Sequence, residues 1–332
     1  MEDFTKLLSK ANKVYRENFG PEVWFERAIF FSWYCGLGDC KYCYMSTQKN
    51  RIKDPEKARR STASLIAEAI LCKELGWEIS FLAGGYRAYE LKGFHELAGK
   101  ISEASGKKLC FNIGDLKREE LVKFEDVSDD ICAAVEVINP RLRKEICPSK
   151  PLDKIKNMLV DAGELGYKKV ITIILGLGET IDDFELLSDF IKNYGIDKIC
   201  FYSLNPHKGT IFEGKPSPSS IYQATWVAKT RLSFPKMNIS AGIWSYKTSS
   251  LGLLLLAGAN SFTKFPAIKL FNKRESKTIE EEVKSAGRVL KSRHTGQVDI
   301  DINKNVSRLN VSKDLKKDVK EKLKSYIERM NS

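Results

Sequence analysis

The stretch "STASLIAEAILCKELGWEISFLAGG", residues 61–85, sets two periodicities end to end. Residues 61–77 repeat apolar side chains at helical spacing behind a Ser or Thr suited to capping, whereas "EISFLAGG" (78–85) is a short apolar run ending on two glycines. The same alternation continues along the chain. Further strand-like runs stand at "RAIFFSWYC" (27–35), "KKLCFNIG" (107–114), "ICAAVEVIN" (131–139), "KVITIILGLGET" (169–180), "KICFYSLNP" (198–206), "MNISAGIW" (237–244) and "SFTKFPAI" (261–268). Helical runs separate them near 91–105, 117–124, 151–165, 182–194, 218–232 and 249–259. Strands returned by helices must lie parallel, because a parallel neighbour needs a crossover. Eight such units close most simply into a (β/α)8 barrel of the TIM type, or a slightly open version of it. A doubly wound open sheet is the alternative.

On this reading residues 1–25 form an N-terminal helical segment, 26–270 the barrel, and 271–332 a charged, mainly helical extension. The tail places Leu315, Val319, Leu323 and Ile327 four apart, one apolar stripe expected to pack on the barrel. The longest apolar run, "LGLLLLAGA" (251–259), is about half a membrane span, and the N-terminus carries no signal-peptide core. The expectation is a cytoplasmic protein with no membrane partner. Eight cysteines then argue for thiolate chemistry or buried thiols rather than disulfides. The formal charge of +12 is spread along the chain among acidic residues, which reads as a solvated basic surface and makes nucleic acid an unlikely partner.

Cys35, Cys40 and Cys43 lie just past the end of the first strand, where a barrel keeps its chemistry. Structural zinc wants four ligands, usually in two pairs, and no second pair is near; a distant cysteine could still complete such a site. A 4Fe-4S cluster held by three thiolates instead leaves one iron open to an outside ligand.

The spacing C-x4-C-x2-C, with Tyr42 before the last cysteine, resembles the radical S-adenosylmethionine (radical SAM) superfamily, although the loop is one residue longer than its usual C-x3-C-x2-C. Further matches follow in strand order. "AGGY" at the second strand resembles the Gly-Gly-Glu turn that holds the methionine amino group, with Gly84 and Gly85 in place and Tyr86 where the acid would stand. "TIILGLGE" resembles the fifth-strand pattern G-x-I-x-G-x-x-E through Ile174, Gly176 and Glu179, with Thr172 replacing the first glycine. "GLGET" (176–180) and "NPHKGT" (205–210) are similar to the biotin synthase branch. "VEVINP" (135–140) is similar to its maturase and methylornithine-synthase relatives.

The resemblance implies a radical SAM enzyme with Cys35, Cys40 and Cys43 as iron ligands and S-adenosyl-L-methionine on the open iron. Tyr42 would lie beside the adenine, with Gly84, Gly85, Glu136, Asn139, Gly176 and Glu179 also binding cofactor. Asn139 before Pro140 is equally a good turn former. The resemblance further implies an external electron donor of the ferredoxin or flavodoxin type and a small-molecule or carrier-protein-bound substrate in cofactor biosynthesis. Sulfur-inserting relatives hold an auxiliary iron–sulfur cluster. Cys110 matches one of its ligands, and strand parity sends Cys132 and Cys200 into the same lumen, with Cys147 on a following loop. Buried core thiols are the plainer reading, as for Cys72. With a second cluster the reaction would be sulfur insertion; without one, the analogues are the maturase of a pyridinol cofactor and methylornithine synthase. The account from a different class is a non-catalytic zinc or iron–sulfur protein binding RNA. His95 and His294 read as surface residues, and His207, beside the sixth strand's end, reads as a substrate contact or an exposed loop residue; the resemblance to biotin synthase relatives implies a substrate- or cluster-contacting position for Tyr246 and Lys247.

Overall fold

The computed structural model of the chain describes residues 3–332. Eight parallel strands form a closed ring: β1 (Glu22–Ser32), β2 (Glu78–Gly84), β3 (Leu109–Asn112), β4 (Ser128–Glu136), β5 (Lys168–Leu175), β6 (Lys198–Ser203), β7 (Asn238–Gly242) and β8 (Ser261–Thr263). Each strand pairs with the next, and β1 closes the ring by pairing with both β2 and β8. The expected (β/α)8 TIM-type barrel is therefore what the chain forms, and the open doubly wound sheet is excluded by the β1–β8 pairing. The eight strands are those anticipated, with shifted ends. β1 starts at Glu22, inside the stretch assigned to the N-terminal segment, and β8 is only three residues long.

Outward side chains such as Ile29, Ile131, Ile171, Phe201 and Phe262 join the main core under the helices. The helix Thr62–Leu75 begins on Ser61, whose side chain accepts from the Ser64 amide, and stops at Gly76 in the left-handed region. It is buried nearly all round rather than along one face, because the C-terminal helix Lys313–Asn331 lies over it. Val319 and Leu323 are fully buried and Leu315 and Ile327 half-buried, so the tail stripe packs on the barrel's outer layer. Glu68, buried in the first crossover helix, receives Arg27 at 2.5 Å and Arg60 at 2.7 Å, which makes a charge there tolerable.

The extension also adds a strand that periodicity did not reveal. The covering helix runs over Arg274–Ser285 only, and β9 (Val289–Leu290) then pairs with the start of β1. His294 follows and is wholly buried among Phe25, Trp77, Phe262 and Phe265, contrary to the surface position expected for it. Its polar neighbours in sequence gave no sign of the aromatic residues brought to it from β1 and β8. His95, as expected, lies at the surface, 2.9 Å from Asp126. Among the described residues no helix is long and apolar enough to cross a membrane.

Candidate active site at the barrel mouth

The loop carrying the three cysteines leaves β1 at the C-terminal mouth and is held on two sides. The Gly36 amide donates to the Tyr86 carbonyl at 2.8 Å, and the Lys41 amide to the Ile146 carbonyl at 2.9 Å. The β2 glycines make the first contact possible. A Cβ at Gly85 would fall 1.9 Å from the Tyr34 carbonyl oxygen and 2.8 Å from the Cys35 Cα, and one at Gly84 would fall 2.2 Å from the Phe31 ring. The glycine turn thus seats the cysteine loop, a role that the motif alone did not reveal.

Cys40 is buried, and Cys35 and Cys43 are half-buried. Burial, with Cys40 and Cys35 nearby, pushes the Cys43 thiol up to about 11. The Cys40 thiol hydrogen-bonds to Cys147, which raises its own pKa and lowers that of Cys147. Cys147 therefore belongs to this upper site, not to the lumen. Among the described residues no three His, Cys, Asp or Glu side chains converge as a metal-holding group. The donor set nevertheless suits an iron–sulfur cluster: three soft thiols on one clamped loop at the reactive end of the barrel.

The remaining expected residues divide by how fully the protein occupies them. Asn139 caps the helix Pro140–Ile146: its Oδ1 accepts from Arg141 at 3.1 Å and Leu142 at 3.2 Å, and its Nδ2 donates to Asp183 at 2.8 Å. Glu179 folds back on its own loop, accepting from the amides of Gly176 at 2.6 Å and Leu177 at 2.9 Å; burial raises its pKa against those bonds. Gly176 has φ +98°, and a Cβ there would meet Pro218 at 2.3 Å. Tyr42 packs beside Cys40 and Cys43, its phenol pushed well up by burial and then by Glu136. Glu136 differs from these. It is buried at the end of β4 with φ +59°, a conformation that L residues adopt at a cost, and forms no ion pair within 4.0 Å among the described residues.

Below the mouth, Cys110, Cys132 and Cys200 do share one lumenal cluster, filled in by Phe81, Val170 and Tyr202. Burial raises all three thiols, Cys200 to about 12, so they stand as neutral core groups. Lower in the lumen, Glu26 is saturated, taking Lys198 at 2.6 Å and the Ser261 hydroxyl at 2.7 Å.

Two lysines at the mouth escaped the motif search. Lys150, beyond the β4 helix, faces Glu136, Cys40 and Cys147; burial opposes its charge, but these neighbours prevail and raise its pKa. Lys264 follows β8 directly, with φ +69° and its Nζ 4.7 Å from the Tyr202 ring centre. A cation after a three-residue strand matches no pattern, and left-handed backbone at a lysine leaves no mark in a sequence. His207 is half-buried, with burial and then Lys264 lowering its pKa. Lys247 turns to the Pro218 carbonyl, and Tyr246 is exposed near Asn205.

Comparison with known proteins agrees with this geometry. Residues 31–191 match the profile of the Radical SAM superfamily. An uncharacterised protein of Methanocaldococcus jannaschii is 40% identical over 99% of this chain and 96% of its own length. The FeFe-hydrogenase maturase subunit HydE of Thermotoga maritima is 25% identical, covering 76% of this chain and 70% of its own. The 3-methylornithine synthase of Methanosarcina barkeri is 27% identical over 79% and 75%. The crystal structure of a methylornithine synthase superposes with a TM-score of 0.73 at 24% identity, covering 87% of this chain and 90% of that one, and shares the fold.

Proposed function

We propose, from the premise that this chain belongs to the radical SAM superfamily and to its biotin synthase- and maturase-like branch, that it is an enzyme abstracting hydrogen from a small or carrier-bound substrate in cofactor biosynthesis. The observation that carries the reading is the thiol loop of Cys35, Cys40 and Cys43, clamped at the mouth of a closed barrel by the β2 glycine turn. When bound, a 4Fe-4S cluster and S-adenosylmethionine supply a 5′-deoxyadenosyl radical, chemistry that no side chain provides. The chain's own part is placement and exclusion of water. The three cysteines would hold the metal, and Tyr42 and Glu136 would line the adjoining side where the cofactor's adenosyl portion would lie. Gly84, Gly85, Gly176, Asn139 and Glu179 fix the loops that enclose it. An external one-electron donor of the ferredoxin or flavodoxin type is required.

Maturation-type chemistry without a second cluster is the reading favoured over sulfur insertion. Thr172 stands at the fifth-strand position where a cysteine would be needed, and aromatic side chains fill the layer of Cys110, Cys132 and Cys200. Anaerobic reconstitution tests the proposal: the protein should bind about four irons per chain, not about eight. On reduction with S-adenosylmethionine it should release 5′-deoxyadenosine. Colourless, zinc-loaded protein that leaves S-adenosylmethionine intact would return the chain to the metal- and RNA-binding reading.

A further inference from the structure

The closed strand order puts β4 and β8 on opposite sides of the ring; β4 ends on Glu136 at φ +59°, and β8 is followed directly by Lys264 at φ +69°, both in left-handed backbone. Backbone strain of this kind persists where the surroundings enforce it, and it aims a side chain that an extended residue would send elsewhere. The two charges feel each other across the mouth, yet among the described residues neither forms an ion pair within 4.0 Å. Lys264 is reached by solvent, but protein atoms crowd it enough that desolvation lowers its pKa despite Glu136. Its ammonium lies 4.7 Å from the Tyr202 ring centre, and its charge is felt at His207.

Around this ammonium stand further donors without a strong partner. The Tyr202 hydroxyl is buried with only the Cys200 sulfur, a weak acceptor, beside it, and the Thr263 hydroxyl directly before Lys264 is buried with no hydrogen-bond partner within the protein. Ser240 and Thr172, one register level below on β7 and β5, leave their buried hydroxyls unpaired as well. Gly242 leaves room for the Tyr202 ring, since a Cβ there would meet it at 2.3 Å. Buried polar atoms short of a strong partner are costly; Ser240 and Thr172 lie in the filled Cys200 layer, so the Tyr202 and Thr263 hydroxyls above them are the ones a ligand at the mouth can satisfy.

We propose that Lys264, with the Tyr202 and Thr263 hydroxyls, is the substrate-recognition site of this enzyme, and that it binds a carboxylate. The donors on this wall number one ammonium and two hydroxyls, and an anionic acceptor uses all three at once. The cofactor side is separate: Lys150 stands with Cys40, Cys147 and Glu136, across the ring from β8. A substrate carboxylate anchored at Lys264 would leave the rest of the molecule between that wall and the thiol loop, within the enclosed mouth. This assignment rests on the enzymatic reading above and adds the substrate class to it.

The test uses the reconstituted full-length protein in the presence of S-adenosylmethionine. A matched panel of carboxylic acids of about two to six carbons and their primary amides is titrated calorimetrically. For the wild type, at least one acid should bind about tenfold or more tighter than its amide, the size of a charge-assisted hydrogen bond. That preference should vanish in Lys264→Met and return in Lys264→Arg, which also shows that the site folds. S-adenosylmethionine itself should bind Lys264→Met within about threefold of wild type, well under the effect of one lost charge contact. No acid preferred over its amide in the wild type would overturn the proposal. So would an acid preference that survives Lys264→Met, or a loss of S-adenosylmethionine affinity in that variant equal to the loss for the acid, since Lys264 would then serve the cofactor's own carboxylate. Failure of the radical reading is visible separately, as wild-type protein that releases no 5′-deoxyadenosine while still discriminating acid from amide.

Discussion

The lower and upper halves of the lumen use the same charge types to opposite ends. Glu26 and Lys198 meet at 2.6 Å, with the Ser261 hydroxyl on the other carboxylate oxygen, so that the Glu26 carboxylate is fully engaged. At the mouth Glu136 and Lys264 stand on opposite strands with no ion pair, each on strained backbone, and buried hydroxyls near Lys264 lack a strong partner. A fold that saturates one buried carboxylate and leaves another, Glu136, without an ion pair has kept the second for something other than stability. The lesson is that completeness of pairing separates scaffold from site more clearly than charge or burial does.

That contrast can be broken most decisively at the thiols. Cys40→Ala is expected to lose the cluster and all 5′-deoxyadenosine release, whereas Cys72→Ala, in the first crossover helix, should keep both; iron content and product release check this. Cleavage retained without Cys40 would remove the mouth from the chemistry. Next in size is the lower pair. Lys198→Met strands a buried carboxylate and should cost about 3–5 kcal/mol in chemical denaturation, with Glu26→Gln alongside it recovering most of the loss. Were the single variant as stable as wild type, the lower half would not be the scaffold described.

A third effect lies outside the lumen. Burial holds His294 neutral, its pKa pushed down to about 3 from 6.5. Above pH 6.5 neither state carries the proton; below it the unfolded chain binds one and the native state does not. Stability should therefore fall on acidification by about 1.4 kcal/mol per pH unit from this group, until the native histidine titrates too. His294→Phe should flatten that part of the profile, and an unchanged slope would show that other groups set it. The smallest expected effect sharpens the border of the site. Asn139→Ala should cost about 1 kcal/mol as a lost helix cap, with Asn139→Asp retaining it. A loss of S-adenosylmethionine affinity in Asn139→Ala beyond the loss in Asn139→Asp would make Asn139 a ligand as well as a cap.

Much of the barrel was legible because its signals are local. Strand-like runs such as "KVITIILGLGET" carry their own boundaries in glycine and charge, whereas Asn139–Pro140, which reads as a turn, opens a short helix, Pro140–Ile146, that periodicity did not reveal. The thiol loop was legible because its ligands are neighbours in sequence. What escaped depends on distant parts of the chain meeting. Cys147 against Cys40 requires the β4 loop to reach the β1 loop, and His294 needed Phe25 and Phe262 to give it an aromatic surrounding. Lys264 needed a backbone angle that residue type does not encode. The glycines of "AGGY" were read as ligand contacts, while the clearest contact the structure gives them is with the cysteine loop itself.

The pairing of β9 with β1 has a consequence for biogenesis. Phe25 donates its amide to Ser292 at 2.8 Å across 267 positions, and the Val289 and Lys291 amides bond to Pro21 and Val23. The first strand to leave the ribosome is thus the last to be completed, because its free edge waits for residues near position 290. Until they arrive, the start of β1 lacks its last partner, although the ring itself closes with β8. A chain that still lacks β8 would offer metal an unfinished receptacle, so loading should follow closure of the ring.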